Sequence, residues 1–425
     1  MTQTTPPAAR LGIFISMFPE LHETFILREL VALERRGVDF TVYSLQFPRD
    51  EITLEDAKRL SQVWTQYGAL VSPRAAWALL ATAARHPVRV ATSIAKVIWH
   101  GRDRPVEVFK SLAILPLTLQ FGRHARATGV THLHGHWANV PTTACWYLQQ
   151  ILGFSWSAAI HGEDIFSANR FLPYKLDHAD FSVVCSGYFC NHLKHRIGLK
   201  RPNEVHLNYH GLDPQVMALS ETTVFNPRPE GAPFRLISIG RLVPTKGHDT
   251  VLRAIAQVVK QTDIPLHLDL IGSGPDEASL RALAAELGIA EQVQFTGGLA
   301  FEQVLAHLVK ANAFVLAPRM IPGRPPDGIP NVIAEAMILR LPVVTTRVSA
   351  IPELVEDGVS GQLVPVDDVG AFAEAILTLI DNPDTARALS DAGFEKVSRL
   401  FDQQQNIDEL LELFEHYGAL PRHAA

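Results

Sequence analysis

Asp327 and Glu335 bracket a point where loop turns into helix. The stretch from Pro318 to Gly328 is rich in proline and glycine and reads as loop. From Asn331 onward, Val332, Ile333, Ala334, Ala336, Met337, Ile338 and Leu339 read as helix. The first backbone N–H groups of a helix have no partner within it, so they can receive an anion. Gly328, Ile329, Pro330 and Asn331 supply that backbone, with a carboxylate on either flank. A ligand carrying both phosphate and hydroxyl groups needs this combination.

A second cluster is Gly240-Arg241-Leu242-Val243-Pro244-Thr245-Lys246-Gly247, which follows a predicted strand and opens a helix. Gly240 permits a sharp turn. Arg241, by its fork, and Lys246, as a point charge, can converge on a diphosphate. The bland reading is two solvated loop cations, and the flanking glycines at a strand-to-helix turn favour the phosphate reading. Gly272 and Gly274 end the next strand and allow close backbone approach to a nucleotide, although a plain turn before Pro275 explains them equally well. His161 ends a strand nearer the N-terminus and can face a ligand or be a hydrogen-bonded loop residue. His132, His134 and His136 alternate on one strand and share a face. A metal site needs further ligands at matched spacing, and the sequence shows none. A structural role is therefore preferred for His132 and His134, while His136, nearest the strand end, is placed to meet a ligand.

These residues must be held by something. Leu11–Ser16, a helix over Glu23–Arg35 and Asp39–Leu45 make a βαβ unit, the start of a doubly wound sheet. Strands resume at His132–Trp137, Ser157–His161, Phe181–Ser186 and Glu204–Tyr209. Residues 54–128 are helical and alanine-rich with few strand signals, and read as an insertion. Their amphipathic stretches suit packing on the sheet, and the alternative is a membrane surface. Residues 214–234, with Pro214, Pro227, Pro229 and Pro233, read as a linker. A second alternation follows, with strands at Leu236–Gly240, His267–Ile271, Val293–Thr296, Ala313–Ala317, Pro342–Thr345 and Gln362–Val364. The expectation is an α/β chain: a first Rossmann-like domain over 1–213, a linker, a second domain over 235–400 and a final helix over 401–425. Ligands of such sheets bind beyond the strand C-termini, so the clusters fall where a shared cleft between two domains requires them.

Composition narrows the class. A chain of 425 residues, 47% hydrophobic, can bury more than one core. A net charge of −6 argues against bulk nucleic-acid binding. Cys145, Cys185 and Cys190 form neither a disulfide framework nor a zinc spacing, which suits a reducing cytoplasm. No signal peptide and no membrane-spanning run are read. The basic stretch Asn191–Arg201 reads as a solvated face, with contact to anionic lipid as the minority reading.

The motifs GRLVPTKG, GSGP, DGIPNVIAEAM and IPELVEDGVSG resemble those of family 4 retaining glycosyltransferases of the GT-B fold. In the first half, ETFILRE at Glu23–Glu29, HLHGHWAN at His132–Asn139 and HGEDIF at His161–Phe166 are similar to a bacterial exopolysaccharide subgroup that includes colanic acid glycosyltransferases. Only 54–128 lacks a counterpart. The resemblance implies that Arg241 and Lys246 hold the donor diphosphate and that Glu335 binds ribose hydroxyls. It implies that Asp327 stands for the first glutamate of the family's pair and binds the donor sugar, and that His161 lies beside the reacting sugar. By the same likeness Glu23, Thr24, His136 and Asp164 belong to the acceptor side. The last helix is implied to cross back to the first domain. Two departures stand out: Asp327 is one methylene shorter than glutamate, and the turn Ser16–Glu20 lacks the glycines many relatives carry.

The implied reaction moves a sugar from a nucleotide diphosphate (UDP- or GDP-linked) to a polysaccharide or lipid-linked oligosaccharide, with retention and with neither metal nor cofactor. The partners are then the nucleotide sugar and the glycan acceptor, with peripheral membrane contact as a possibility and a cytoplasmic location. A glycosidase would need two facing carboxylates, which are not seen. The alternatives are another GT-B activity, such as a sugar-nucleotide epimerase or a phosphorylase, and a sugar-nucleotide binder without catalysis.

Overall fold

The computed structural model describes residues 10–20, 24–49, 55–166, 170–324 and 327–421. It divides into two compact units, 1–211 joined by 403–425, and 212–402.

The first unit holds β1 (Arg10–Met17), α1 (Thr24–Arg35), β2 (Asp39–Gln46), α2 (Glu55–Val63) and β3 (Thr65–Tyr67). Four helices follow: α3 (Pro73–Arg85), α4 (Pro87–Gly101), α5 (Pro105–Ala113) and α6 (Leu115–Ala127). Then come β4 (Val130–His136), α7 (Val140–Leu152), β5 (Ser155–Ile160), α8 (Gly162–Phe166), α9 (Phe171–Leu176), β6 (Ser182–Val184), α10 (Gly187–Arg196) and β7 (Val205–Leu207). All seven strands are parallel, in the order β3-β2-β1-β4-β5-β6-β7. Parallel strands are covered on both faces, so they read as apolar runs such as Leu11, Ile13, Phe14 and Ile15, all fully buried.

The second unit holds α11 (Pro214–Ser220), β8 (Phe234–Ile239), α12 (His248–Val258), β9 (Leu266–Ile271), α13 (Glu277–Glu286), β10 (Val293–Gly297) and α14 (Phe301–Leu308). It continues with β11 (Ala313–Leu316), α15 (Asn331–Ile338), β12 (Val343–Thr346), α16 (Ile351–Leu354), β13 (Gln362–Val364), α17 (Val369–Asp381) and α18 (Pro383–Leu400). Its six parallel strands run β10-β9-β8-β11-β12-β13. In both sheets the winding direction reverses beside the first strand, at β1/β4 and at β8/β11. Those are the switch points where such sheets receive ligands.

After Asp402 the chain returns to the first unit as α19 (Gln403–His416). Ile407, Leu410 and Phe414 share a core with Leu11, Ile13, Ile26 and Leu30. Arg36 pairs with Asp408, and Gln403 Nε2 donates to the Arg28 carbonyl at 3.1 Å.

Two expectations change. Residues 54–128 are not wholly helical: β3 pairs with β2, Val42 facing Thr65. Three residues at a sheet edge carry too little pattern to be seen in sequence, and the helical layer begins only at Pro73. Residues 214–234 are not a free linker. Pro214 starts α11, where its missing N–H costs nothing, and Asp213 accepts from Gln215 N–H. Phe225 is buried in the second core, Asn312 Nδ2 donates to the Asn226 carbonyl at 3.1 Å, and Asn226 Nδ2 donates to the Ala311 carbonyl at 3.3 Å.

Candidate functional site

In the second unit, three loop ends pack at the switch point through glycines. Gly247 has φ +66°, and a Cβ there would overlap the Ala317 carbonyl oxygen beyond β11. Gly272 has φ +142°, and a Cβ there would overlap the Gly240 carbonyl oxygen. Gly274 presses likewise on Leu242. Backbone bonds hold the layers: Gly240 N–H to Ile271 O at 3.0 Å, Leu242 N–H to Ser273 O at 2.9 Å and Asp276 N–H to Leu242 O at 3.1 Å. The close approach that Gly272 and Gly274 permit is therefore of loop on loop.

On this stack the structure joins Lys246 to Asp327, Nζ to Oδ2 2.8 Å apart. The lysine is mostly buried and the aspartate half exposed. Arg241 projects from the same turn, exposed, with no salt bridge among the described residues. Gly328, Ile329 and Pro330 lead from Asp327 into α15. Asn331 begins the helix, exposed, and Glu335 stands half-buried in its second turn.

Sequence reasoning missed the residues that brace this turn. Arg319 Nε donates to the Pro244 carbonyl at 2.8 Å, its backbone N–H bonds Thr245 O at 3.0 Å, and its guanidinium meets Asp249 and Asp367. His248 lies buried beneath the turn with Nδ1 3.3 Å from Ser238 Oγ, and burial pulls its imidazole down to about 4, leaving it neutral. The only sequence signals were adjacency: Arg319 follows β11 and His248 follows Gly247.

In the first unit the switch point carries imidazoles. His161 is buried, with its ring 4.4 Å from Trp137, 4.8 Å from Phe25 and 5.3 Å from His210. Burial holds it well below its ordinary value, helped by His210 and His136. Asp164 Oδ2 accepts from Ala138 N–H at 2.7 Å and from His161 N–H at 3.3 Å, so it shapes the turn. Trp137, at φ +72°, sits in the left-handed region, a strain that bulky residues hold only under constraint. Lys175, buried, donates to the carbonyls of Ala138 and Asn139 at 2.8 and 2.9 Å and to Thr143 Oγ1 at 2.9 Å. Burial pulls its ammonium down to about 7. Neither Trp137 nor Lys175 stood out in sequence. Thr24 opens α1, and Glu23 lies outside the described residues.

The alternating histidines are joined in a chain of hydrogen bonds. His132 Nδ1 lies 2.9 Å from Ser155 Oγ, and His132 Nε2 and His134 Nδ1 each lie 2.8 Å from Ser157 Oγ. His134 Nε2 is buried without a hydrogen-bond partner among the described residues. His136 Nε2 lies 3.1 Å from Glu29 Oε1. Glu29, His134 and His136 hold ligand atoms all within 4.8 Å of one another, as do His161, Cys185 and His210. Glu29, on α1, is thus a third candidate ligand that spacing along β4 did not offer. The first trio has the donor set to hold a divalent cation, or to meet hydroxyl groups.

Comparison with known proteins bears on the fold and on the second unit. Residues 220–396 match the family Glycosyl transferases group 1. WcaL of Escherichia coli K12, assigned to colanic acid biosynthesis as a glycosyltransferase, is 28% identical over 96% of this chain and 99% of its own length. The amylovoran biosynthesis glycosyltransferase AmsK of Erwinia amylovora is 24% identical over the same shares. A GDP-mannose-dependent phosphatidylinositol monomannoside mannosyltransferase of Mycolicibacterium smegmatis is 35% identical over 37% of this chain and 41% of its own. Anabaena HepE in complex with UDP has the same fold, with TM-score 0.70 and 16% identity, covering 96% of this chain and all of that one. A Rickettsia africae glycosyltransferase also reaches TM-score 0.70, at 12% identity over 97% and 99%. The chain has the two-sheet GT-B architecture, and residues 220–396 match the group 1 glycosyltransferase family.

Proposed function

We propose, from that match as premise, that this chain is a retaining glycosyltransferase taking a sugar from a UDP- or GDP-linked donor. The acceptor is a polysaccharide or lipid-linked oligosaccharide of cell-surface glycan synthesis, and the enzyme works on the cytoplasmic side. The observation that carries the reading is the Lys246–Asp327 pair on the glycine-packed switch point of the matched domain. One member suits phosphate and the other sugar hydroxyls. Arg241 and the N–H groups at Gly328–Asn331 add donors for the diphosphate, and Glu335 adds an acceptor for ribose.

As the sugar bond breaks, negative charge gathers on the diphosphate and positive charge on the sugar. Cations held in place before reaction stabilise the first without reorganising. The acceptor proton passes to a donor phosphate oxygen, so this step needs no protein base, and no metal at the diphosphate. The first unit supplies acceptor contacts from Thr24 and His136 and a neighbour for the reacting sugar in His161, with Asp164 holding the turn. Support comes from WcaL and AmsK, glycosyltransferases of exopolysaccharide synthesis that align along nearly the whole chain.

The test is a donor screen by mass spectrometry with UDP- and GDP-sugars, on the unaltered chain and on Arg241→Ala and Lys246→Ala. The reading expects transfer by the first and near-complete loss in the others, all equally folded. Full activity in both variants refutes it. Donor binding without transfer to any glycan would mark a binder instead, and isomerised free sugar nucleotide an epimerase.

A further inference from the structure

We propose that the outer faces of α3, α4 and α5 form a docking surface for a bilayer rich in anionic lipid headgroups. The inference rests on surface chemistry and not on the reaction proposed above.

These helices hold 37 residues but carry seven of the fifteen large hydrophobic side chains exposed among the described residues. α4 shows the pattern best. Val90, Ser93 and Val97 face inward and are buried. On the opposite side Val88, Ile98 and Trp99 stand in solvent, with Ala91 and Ala95 exposed between them. A helix apolar on both sides normally has something covering both. Trp77 and Leu80, one turn apart on α3, are 63% and 65% exposed, and Phe109 on α5 is 73% exposed. α4 packs against both α3 and α5, so the three outer faces adjoin. Indole rings favour the boundary between lipid and water.

Charge selects the occupant. From Ser72 to Ala113 the sequence has seven Lys and Arg against two acids, a net of +5 in a chain of net −6. Both acids are engaged: Glu107 pairs with Lys110 at 2.9 Å, and Asp103 accepts from Arg170 N–H at 3.4 Å. Arg74, Arg85, Arg102 and Arg104 are exposed beside the apolar positions, Arg102 lying 4.3 Å over the Trp99 ring. Apolar side chains framed by cations are what a helix lying in an anionic interface requires. A second copy of this face would bring like charge against like. No described helix is long and apolar enough to cross a membrane, so contact by this surface is peripheral. α10 is also basic, but none of its large apolar side chains is exposed, so it has nothing to insert.

The test floats the full chain with phosphatidylcholine vesicles, with and without phosphatidylglycerol. The expected result is flotation with the anionic vesicles, weakening as salt screens the charges. Bromine-labelled acyl chains should quench part of the tryptophan emission. The double variant Trp77→Ser, Trp99→Ser should lose that quenching and partition about tenfold less. Arg74→Glu with Arg102→Glu should lower binding about fivefold or more for each cation removed. All four side chains are exposed, and a thermal melt checks the fold. Should the tryptophan variant not fold, the charge variant and quenching of the unaltered chain still decide. Absence of flotation overturns the proposal, and so does flotation that both variants leave unchanged. So does a shift from dimer to monomer in the variants with lipid binding intact, which would make the face a protein contact. Donor binding measured in solution is untouched by any of these outcomes, so failure here is separable from failure of the transferase reading.

Discussion

The two units share one sheet plan and furnish their switch points with opposite chemistry. The second places Lys246, Asp327 and Arg241 at or near the surface, on loops layered so tightly that glycine is required at 247 and 272. The first buries His134, His136 and His161 among Phe25, Trp137 and Phe414. Burial pulls His134 to about 3 and His210 to about 4, so these rings are uncharged at neutral pH. Under the function proposed above, a charged ligand would be met by charges and backbone N–H groups that keep some water, and a hydroxyl by buried imidazoles. One scaffold would then serve both halves of a transfer, because strand order sets where a site lies and loop composition sets what it binds.

The contrast can be broken in order of effect. Lys246→Ala should lower kcat/KM about 100- to 1000-fold, the range seen when one donor to developing charge is removed. Its melting temperature should stay near that of the unaltered chain, and steady-state kinetics with a melt would expose a merely structural lysine. Gly247→Ala should destabilise the second unit by roughly 1–3 kcal/mol from its backbone alone, more with the overlap on Ala317. All six tryptophans and all seven tyrosines lie in the first unit, so its unfolding can be followed by indole emission. That transition should not move in Gly247→Ala, while the far-ultraviolet signal reports loss of the other unit.

Acid should act in the reverse sense. His132 and His134 have folded values near 3, well below the ordinary imidazole value. As pH falls from about 6.5 toward 3 the unfolded chain takes up their protons first, so stability present above that window is lost through it. Each buried histidine contributes about 1.4 kcal/mol per pH unit there. Urea denaturation followed by indole emission should show the midpoint falling steadily between pH 7 and 4, and a flat midpoint would show that these rings are not buried and neutral. The smallest effect expected is that of His161→Ala on catalysis. Loss of one neutral contact should reduce turnover about fivefold to tenfold and leave donor affinity unchanged, a split that kcat and KM report separately.

Much of this was legible in the chain. Strands such as Leu11–Ser16 and His267–Ile271 are long apolar runs bounded by turn residues, and the glycines at 247, 272 and 274 sit in the turns after strands where a side chain would overlap backbone, whereas Gly240 has room for one. The second-unit candidates were readable because each is a local pattern, a turn after β8 and a loop leading into a helix start, although their meeting was not. The first-unit cluster was not, because Glu29 on α1 reaches β4 only after the sheet has formed, and Lys175 braces Asn139 from 36 residues away. Thr65–Tyr67 was hidden by its shortness, and Pro214, read as a breaker, is instead a helix start.

Sequence by itself determined the alternation of strand and helix, the cations and carboxylates of the second switch point, and the net +5 of the α3–α5 layer, since each is a matter of residue type and near spacing. Tertiary structure alone decided that Lys246 pairs with Asp327, that Glu29 joins His134 and His136, and that Trp77 and Trp99 face solvent and not the sheet. Those outcomes depend on which faces meet when distant segments pack, and a periodic pattern says that a face is apolar without saying what will cover it.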